Sequence, residues 1–162
     1  MRTGFAALAL SAALAACSSS ASDGAAAGVA ATEPARHPVS GLQVIPLTVI
    51  HEGKRHRFRV EIAGNPYEQA KGLMFRTEMG ADEGMLFPMK PPRNASFWMK
   101  NTVIPLDIIF VGQDRRIINI AADAVPYSEE NLESQGLAAA VLELNGGRAA
   151  ELGIGPGDKV EW

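Results

Sequence analysis

Residues 106–111 (LDIIFV) constrain the fold of this chain more than any other segment, being apolar throughout except for Asp107. A run this short falls below the length at which a helix is stable. It reads instead as a strand covered on both faces. Similar short runs recur along the chain. Residues 44–50 (VIPLTVI) and 56–62 (HRFRVEI) flank the turn residues Glu52-Gly53-Lys54. The second run alternates, with Phe58, Val60 and Ile62 on one side and Arg57, Arg59 and Glu61 on the other, as in a half-buried hairpin. Further strands are expected at 84–87, 96–100, 117–121, 139–144 and 159–162. Helix signals are few. Asn65 offers an N-cap and Pro66 a first helical position, with Gly72 as a stop, so 66–71 is expected to be a short helix. Residues 148–152 read as a helical turn, and 128–133 as a short helix capped by Ser128. Roughly seven or eight strands with two or three short helices predict a mainly β fold, a compact antiparallel β-sandwich or a partly open barrel. Strand–helix alternation is too sparse for a doubly wound sheet.

The N-terminus has a different character. Arg2 is followed by an apolar and small-residue run from Phe5 to Leu14, too short to span a bilayer of ~30 Å as a helix and ordered like a secretory signal. Leu14-Ala15-Ala16-Cys17 resembles a bacterial lipobox, and Cys17 is the only cysteine in the 162 residues. Residues 1–16 are therefore expected to be a lipoprotein signal peptide and Cys17 the site of lipidation. Residues 17–41, rich in Ala, Ser, Gly and Pro, are expected to form a flexible tether with a reach of roughly 25–30 Å. Residues 42–162 remain as a single β-rich domain. The expected location is the cell envelope, and Ser18 after Cys17 favours the periplasmic face of the outer membrane. Several acyl chains hold a protein to a membrane where one does so only marginally.

Composition narrows the partners. Lys and Arg total 15 against 18 Asp and Glu, a formal charge of −3 with no run of one sign, which opposes a nucleic-acid binder. A lone cysteine allows no internal disulfide and no cysteine metal cluster. The expected partners are the membrane, through Cys17, and an envelope glycan or a protein.

Gly72-Leu73-Met74-Phe75-Arg76, Gly84-Met85-Leu86-Phe87-Pro88 and Phe97-Trp98-Met99-Lys100-Asn101-Thr102, running on to Pro105-Leu106-Asp107, are unusual strings. With Val141-Leu142-Glu143-Leu144-Asn145-Gly146-Gly147 and the segment from Gly153 to Asp158, they resemble the domain of unknown function 192 family over residues 47–160. The resemblance implies an all-β fold and frequent export to the envelope; it implies no reaction, cofactor or catalytic set.

Three kinds of chemistry fit these residues. As an enzyme acting on envelope polysaccharide or peptide, the chain would use Asp107 or Glu143 as acid or base, with Asp158, His51 and His56 as further titratable groups. No Gly-x-Ser-x-Gly or His-Glu-x-x-His pattern supports a hydrolase. As a copper protein it would use thioethers, since all methionines after the first lie between Met74 and Met99. Those at 74, 85 and 99 sit among Leu, Phe or Trp, where Met ordinarily fills a core, so no metal site and no cofactor are assigned. As a binding module it would present Trp98 beside Lys100 and Asn101, because neighbouring Phe97 and Trp98 point to opposite faces of a strand. The candidate ligand-binding residues are Arg76, Trp98, Lys100, Asn101, Asp107 and Glu143, and the binding-module reading is preferred.

Overall fold

The computed structural model describes residues 35–162. The expected signal peptide at 1–16, the lipidation site Cys17 and the tether as far as residue 34 lie outside the described residues. The elements are β1 (Val44–His51), β2 (Lys54–Ile62), α1 (Pro66–Lys71), β3 (Glu83–Phe97), β4 (Leu106–Gly112), β5 (Ile117–Ala124), β6 (Leu132–Asn145), α2 (Arg148–Leu152) and β7 (Lys159–Glu161).

The strands form one seven-stranded sheet in the order β5-β4-β6-β3-β2-β1-β7, curled into half a barrel. Its two edges touch at one end, where Arg116 bridges to Lys159. There the Ile117 N–H donates to the Asp158 carbonyl at 2.9 Å and the Val160 N–H to the Arg115 carbonyl at 2.8 Å. Of the two architectures expected, the protein takes the partly open barrel. Most neighbouring strands are antiparallel, but β2 and β3 run parallel, from Arg59 opposite Glu83 to Ile62 opposite Leu86. A parallel pair requires a crossover, and the connection at 63–82 supplies it with α1.

Local chemistry accounts for the elements. Glu52 and Gly53 both have positive φ, 47° and 80°, which is what a two-residue hairpin turn between twisted strands needs. At α1 the Asn65 side chain accepts from the Glu68 N–H at 3.0 Å, and the Glu68 carboxylate accepts from the Asn65 N–H at 3.2 Å, a reciprocal cap. β4 is buried along its whole length. Leu106, Ile108 and Phe110 enter an outer layer with Met85, Phe87 and Val141. Ile109 and Val111 enter an inner layer with Leu47, Val60 and Leu142.

Two expectations give way to sheet pairing. The strands expected at 84–87 and 96–100 are one strand, β3, and Met99 and Lys100 fall in the turn after it. Pro88, Pro91 and Pro92 do not break it because the chain bulges: Pro88 faces Ala140 while Arg93 already faces Ala138. Prolines, lacking an N–H, are tolerated at such a bulge. The helix expected at 128–133 does not form. The Ser128 hydroxyl accepts from the Glu130 N–H at 3.2 Å, closing a turn, and Glu133 is already paired with Ser96 in the sheet. Residues 36–43, in the region read as the end of the tether and the start of the domain, form a turn closed by an Arg36–Gln43 bridge.

Candidate functional site

On the outer face of the sheet, strand registers align Glu61, Met85, Glu143 and Ile108 in one row across β2, β3, β6 and β4. Two segments cover this row. One is α1 with the Gly72–Arg76 string behind it, and the other is the loop from Trp98 to Thr102. They are stitched together where the Phe75 N–H donates to the Asn101 carbonyl at 2.9 Å. Phe75 and Asn101 both have positive φ, 63° and 56°. A phenylalanine held in that conformation and 68% exposed marks a backbone that the surrounding contacts impose.

Beneath the two segments lies a cavity of about 420 Å³ walled by Leu73, Met74, Phe87, Phe97 and Trp98, with Thr102, Gln69 and Arg93 among its polar groups and Glu143 lining it. Phe97 packs edge-on against Phe87 at 5.1 Å and Phe110 at 6.3 Å. Trp98, the next residue, is 45% exposed at the rim. The expected split of these two aromatics between core and surface is present.

Glu143 is 6% exposed, and its neighbours in the row, Met85 and Ile108, are fully buried. Burial alone acts on its carboxyl and raises it to about 8. At neutral pH it is therefore protonated, an O–H donor set among thioethers and aromatic rings. Glu61, two strands away in the same row, has a different environment. Arg76 Nη2 lies 3.0 Å from its Oε1, the Ser40 hydroxyl donates to Oε2, and His37 Nδ1 is 3.7 Å away. Arg76 is thus an internal partner of Glu61. Its charge is already matched.

Asp107 faces the other way. It lies opposite Leu144 in the β4–β6 ladder, one step out of phase with Glu143, so the two side chains project from opposite faces of the sheet. Its Oδ1 accepts from the N–H groups of Asp123 and Gly147 at 2.8 and 3.0 Å, and its Oδ2 from that of Ala149 at 2.7 Å. The fully buried carboxylate holds the turn before α2 and the start of that helix. Asp107 and Glu143 do not form an acid–base pair.

Lys100 Nζ lies 5.0 Å from the Trp98 ring centroid and 3.5 Å from Glu129. Asn101 contributes its backbone to the stitch with Phe75, and its amide nitrogen lies 3.8 Å from Met74 Sδ. Trp98, Lys100, Asn101 and Glu143 thus belong to one neighbourhood, while Arg76 and Asp107 hold its scaffold. At the β1–β2 hairpin, His51 Nδ1 meets Asp158 at 3.0 Å, and His56 is buried with its value lowered first by desolvation. Met85, Met89 and Met99 are core residues, and Met74 lines the cavity. Among the described residues no three His, Cys, Asp or Glu side chains gather as a metal set. Sequence reasoning passed over Gln69, whose Nε2 ties α1 to the carbonyls of Ala63 and Pro88 at 3.2 and 3.0 Å. It also missed Lys90 and Arg93, for which the proline-rich run 88–93 (PMKPPR), with cations and no acid, was the available signal, and Arg115, which no such run marks.

Fold and site together define a curled β domain whose cavity under the crossover holds one buried carboxyl. The model of the DUF192 family, described as Uncharacterized ACR, matches residues 47–162, and the chain belongs to that family. A protein of unknown function from Novosphingobium aromaticivorans DSM 12444 is 65% identical, with a TM-score of 0.79 over 82% of this chain and 94% of that one. A candidate transcription regulator from Sinorhizobium meliloti 1021 is 40% identical, with a TM-score of 0.72 over 74% of this chain and 94% of that one. No curated protein matches the sequence.

Proposed function

We propose that the domain is a ligand-binding module of the bacterial envelope whose site is the cavity at Glu143. The observation that carries this reading is the placement of Glu143: a buried carboxyl in no ion pair opens onto a space walled largely by aromatic and thioether groups. Desolvation keeps it neutral at pH 7, so it suits a ligand that offers a hydrogen-bond acceptor rather than a charge. Trp98 at the rim supplies a face on which a ring can stack. A neutral sugar or similar ring with acceptor oxygens has this chemistry, in keeping with an envelope glycan. Catalysis is the weaker reading, because no second carboxyl and no imidazole lines the cavity with Glu143 and Asp107 is spent on backbone N–H groups.

The lipobox-like string at Cys17 supports anchoring of this module to a membrane, at the periplasmic face of the outer membrane, by lipid on that cysteine. The description of the Sinorhizobium protein as a regulator does not carry over. Among the described residues the two helices span six and five residues, short for a helix that reads a DNA groove, and the chain's formal charge is −3.

The test is thermal unfolding of the full-length protein against a panel of envelope sugars and muropeptides. A ligand that binds the folded state alone raises the midpoint by mass action. Glu143→Gln, which retains a donor, should keep most of the shift, and Glu143→Ala should remove it. An undiminished shift in Glu143→Ala would place the ligand elsewhere.

A further inference from the structure

A second concavity, of about 840 Å³, adjoins the Glu143 cavity and shares Pro66, Gln69, Met89 and Arg93 with it. It opens at the β3 bulge, between Pro88 opposite Ala140 and Arg93 opposite Ala138, and Ala139 lines it from β6. Its far wall is Gln113 and Arg115, from the β4–β5 turn, with Trp162.

The charges along this groove are one-sided. Lys90, Arg93 and Arg115 line it, and no Asp or Glu side chain does. None of the three forms an ion pair among the described residues. Like charges gathered in one concavity repel, and an anion that enters removes that repulsion. Two of the cations are also held in place. The Arg115 guanidinium lies 3.4 Å from the Trp162 ring centroid, on a backbone with a φ of 63°. The Arg93 Nε–H is directed at Met89 Sδ, 3.3 Å away, which leaves its terminal nitrogens as donors. Ordering these side chains in advance lowers the entropy lost on binding, and the planar guanidinium matches a planar or tetrahedral oxyanion in two-point contact.

We infer that the bulge groove is an anion subsite, taking a carboxylate or phosphate group through Lys90, Arg93 and Arg115. The site stands whether or not the Glu143 cavity holds a ligand, since Lys90 and Arg115 line this groove alone and only Arg93 of its cations is common to both.

The probes are sodium phosphate and sodium glucuronate, each titrated into the full-length protein against sodium chloride at matched ionic strength, with the unfolding midpoint as readout. A saturable rise beyond chloride is expected for at least one. Lys90 and Arg115 are both exposed, so a Lys90→Gln/Arg115→Gln double variant leaves the core untouched. It should weaken the apparent affinity roughly tenfold or more, as loss of charge-assisted bonds does. Glu143→Gln should leave it unchanged. A response to glucuronate alone assigns the subsite to an acidic sugar, to phosphate alone a phosphorylated ligand, and to both a general oxyanion; each supports the inference. Shifts no larger than chloride gives, or a full response in the double variant, would overturn it. So would a response abolished by Glu143→Gln, because the anion would then lie in the neighbouring cavity.

Discussion

Glu61, Asp107 and Glu143 are three buried carboxyls in one small domain, and each has a different fate because each meets different neighbours. Glu61 is neutralised by Arg76, Asp107 is satisfied by three backbone N–H groups, and Glu143 is buried and in no ion pair. The last case sets a pH dependence. An acid held above its ordinary value binds its proton more tightly folded than unfolded, so its contribution to stability is whole below pH 4.5 and is lost as the pH rises through about 8. The slope is on the order of 1 kcal/mol per pH unit between those limits. His56 acts in the opposite sense: its lowered value favours the folded state above pH 6.5 and disfavours it as the pH falls. The effect of Glu143 is therefore read as a difference. Urea unfolding of the wild type and Glu143→Gln at pH 5, 6.5 and 8 should show the variant gaining relative stability as the pH rises, and parallel curves would contradict the assignment. The sequence exposed Asp107 as unusual, since a lone carboxylate in an apolar strand needs partners. It did not separate Asp107 from Glu143, because the difference lies in which strands flank them.

Among the elements, β3 joins the two halves of the site: its first residues pair with Glu143 on β6, and its last reach Phe97 beside Trp98. Gly84 shows how closely β3 and β6 approach. A Cβ there would lie 2.5 Å from the Glu143 carbonyl oxygen and 2.8 Å from Leu144 Cδ2. Gly84→Ala must push the strands apart and should cost about 1–3 kcal/mol, measured as a lower urea midpoint with an unchanged slope. It should also weaken any ligand of the Glu143 cavity, and a neutral effect on stability would show that the ladder yields easily. The hairpin β1–β2 and helix α1 were legible because their signals are local: alternation with a Glu-Gly turn in one, Asn-Pro and a closing glycine in the other. β3 and the segment 128–133 were not. Proline spacing argues for a break and Ser128 for a cap, and both signals lose to long-range hydrogen bonding with β6, which no local window contains.

At the scale of the whole molecule, the proposal couples a rigid half-barrel to a membrane. The chain upstream of the described residues is where that coupling would act, and Cys17→Ser tests it directly. The variant should move from the membrane fraction to the soluble periplasmic fraction while its unfolding midpoint stays the same, and continued retention on the membrane would contradict lipid anchoring at Cys17. By itself the sequence determined the β character of the domain, the places of its two short helices, the covered strand β4 and the run of motifs that marks the family. These follow from side-chain period, capping and turn chemistry, which act between residues a few positions apart. Only the tertiary structure decided that β2 and β3 run parallel, that Arg76 serves Glu61, that Asp107 and Glu143 look to opposite faces, and that two cavities meet at Arg93. Those outcomes depend on which strands become neighbours and in what register, and a shift of one residue would turn every side chain of a strand to the other face.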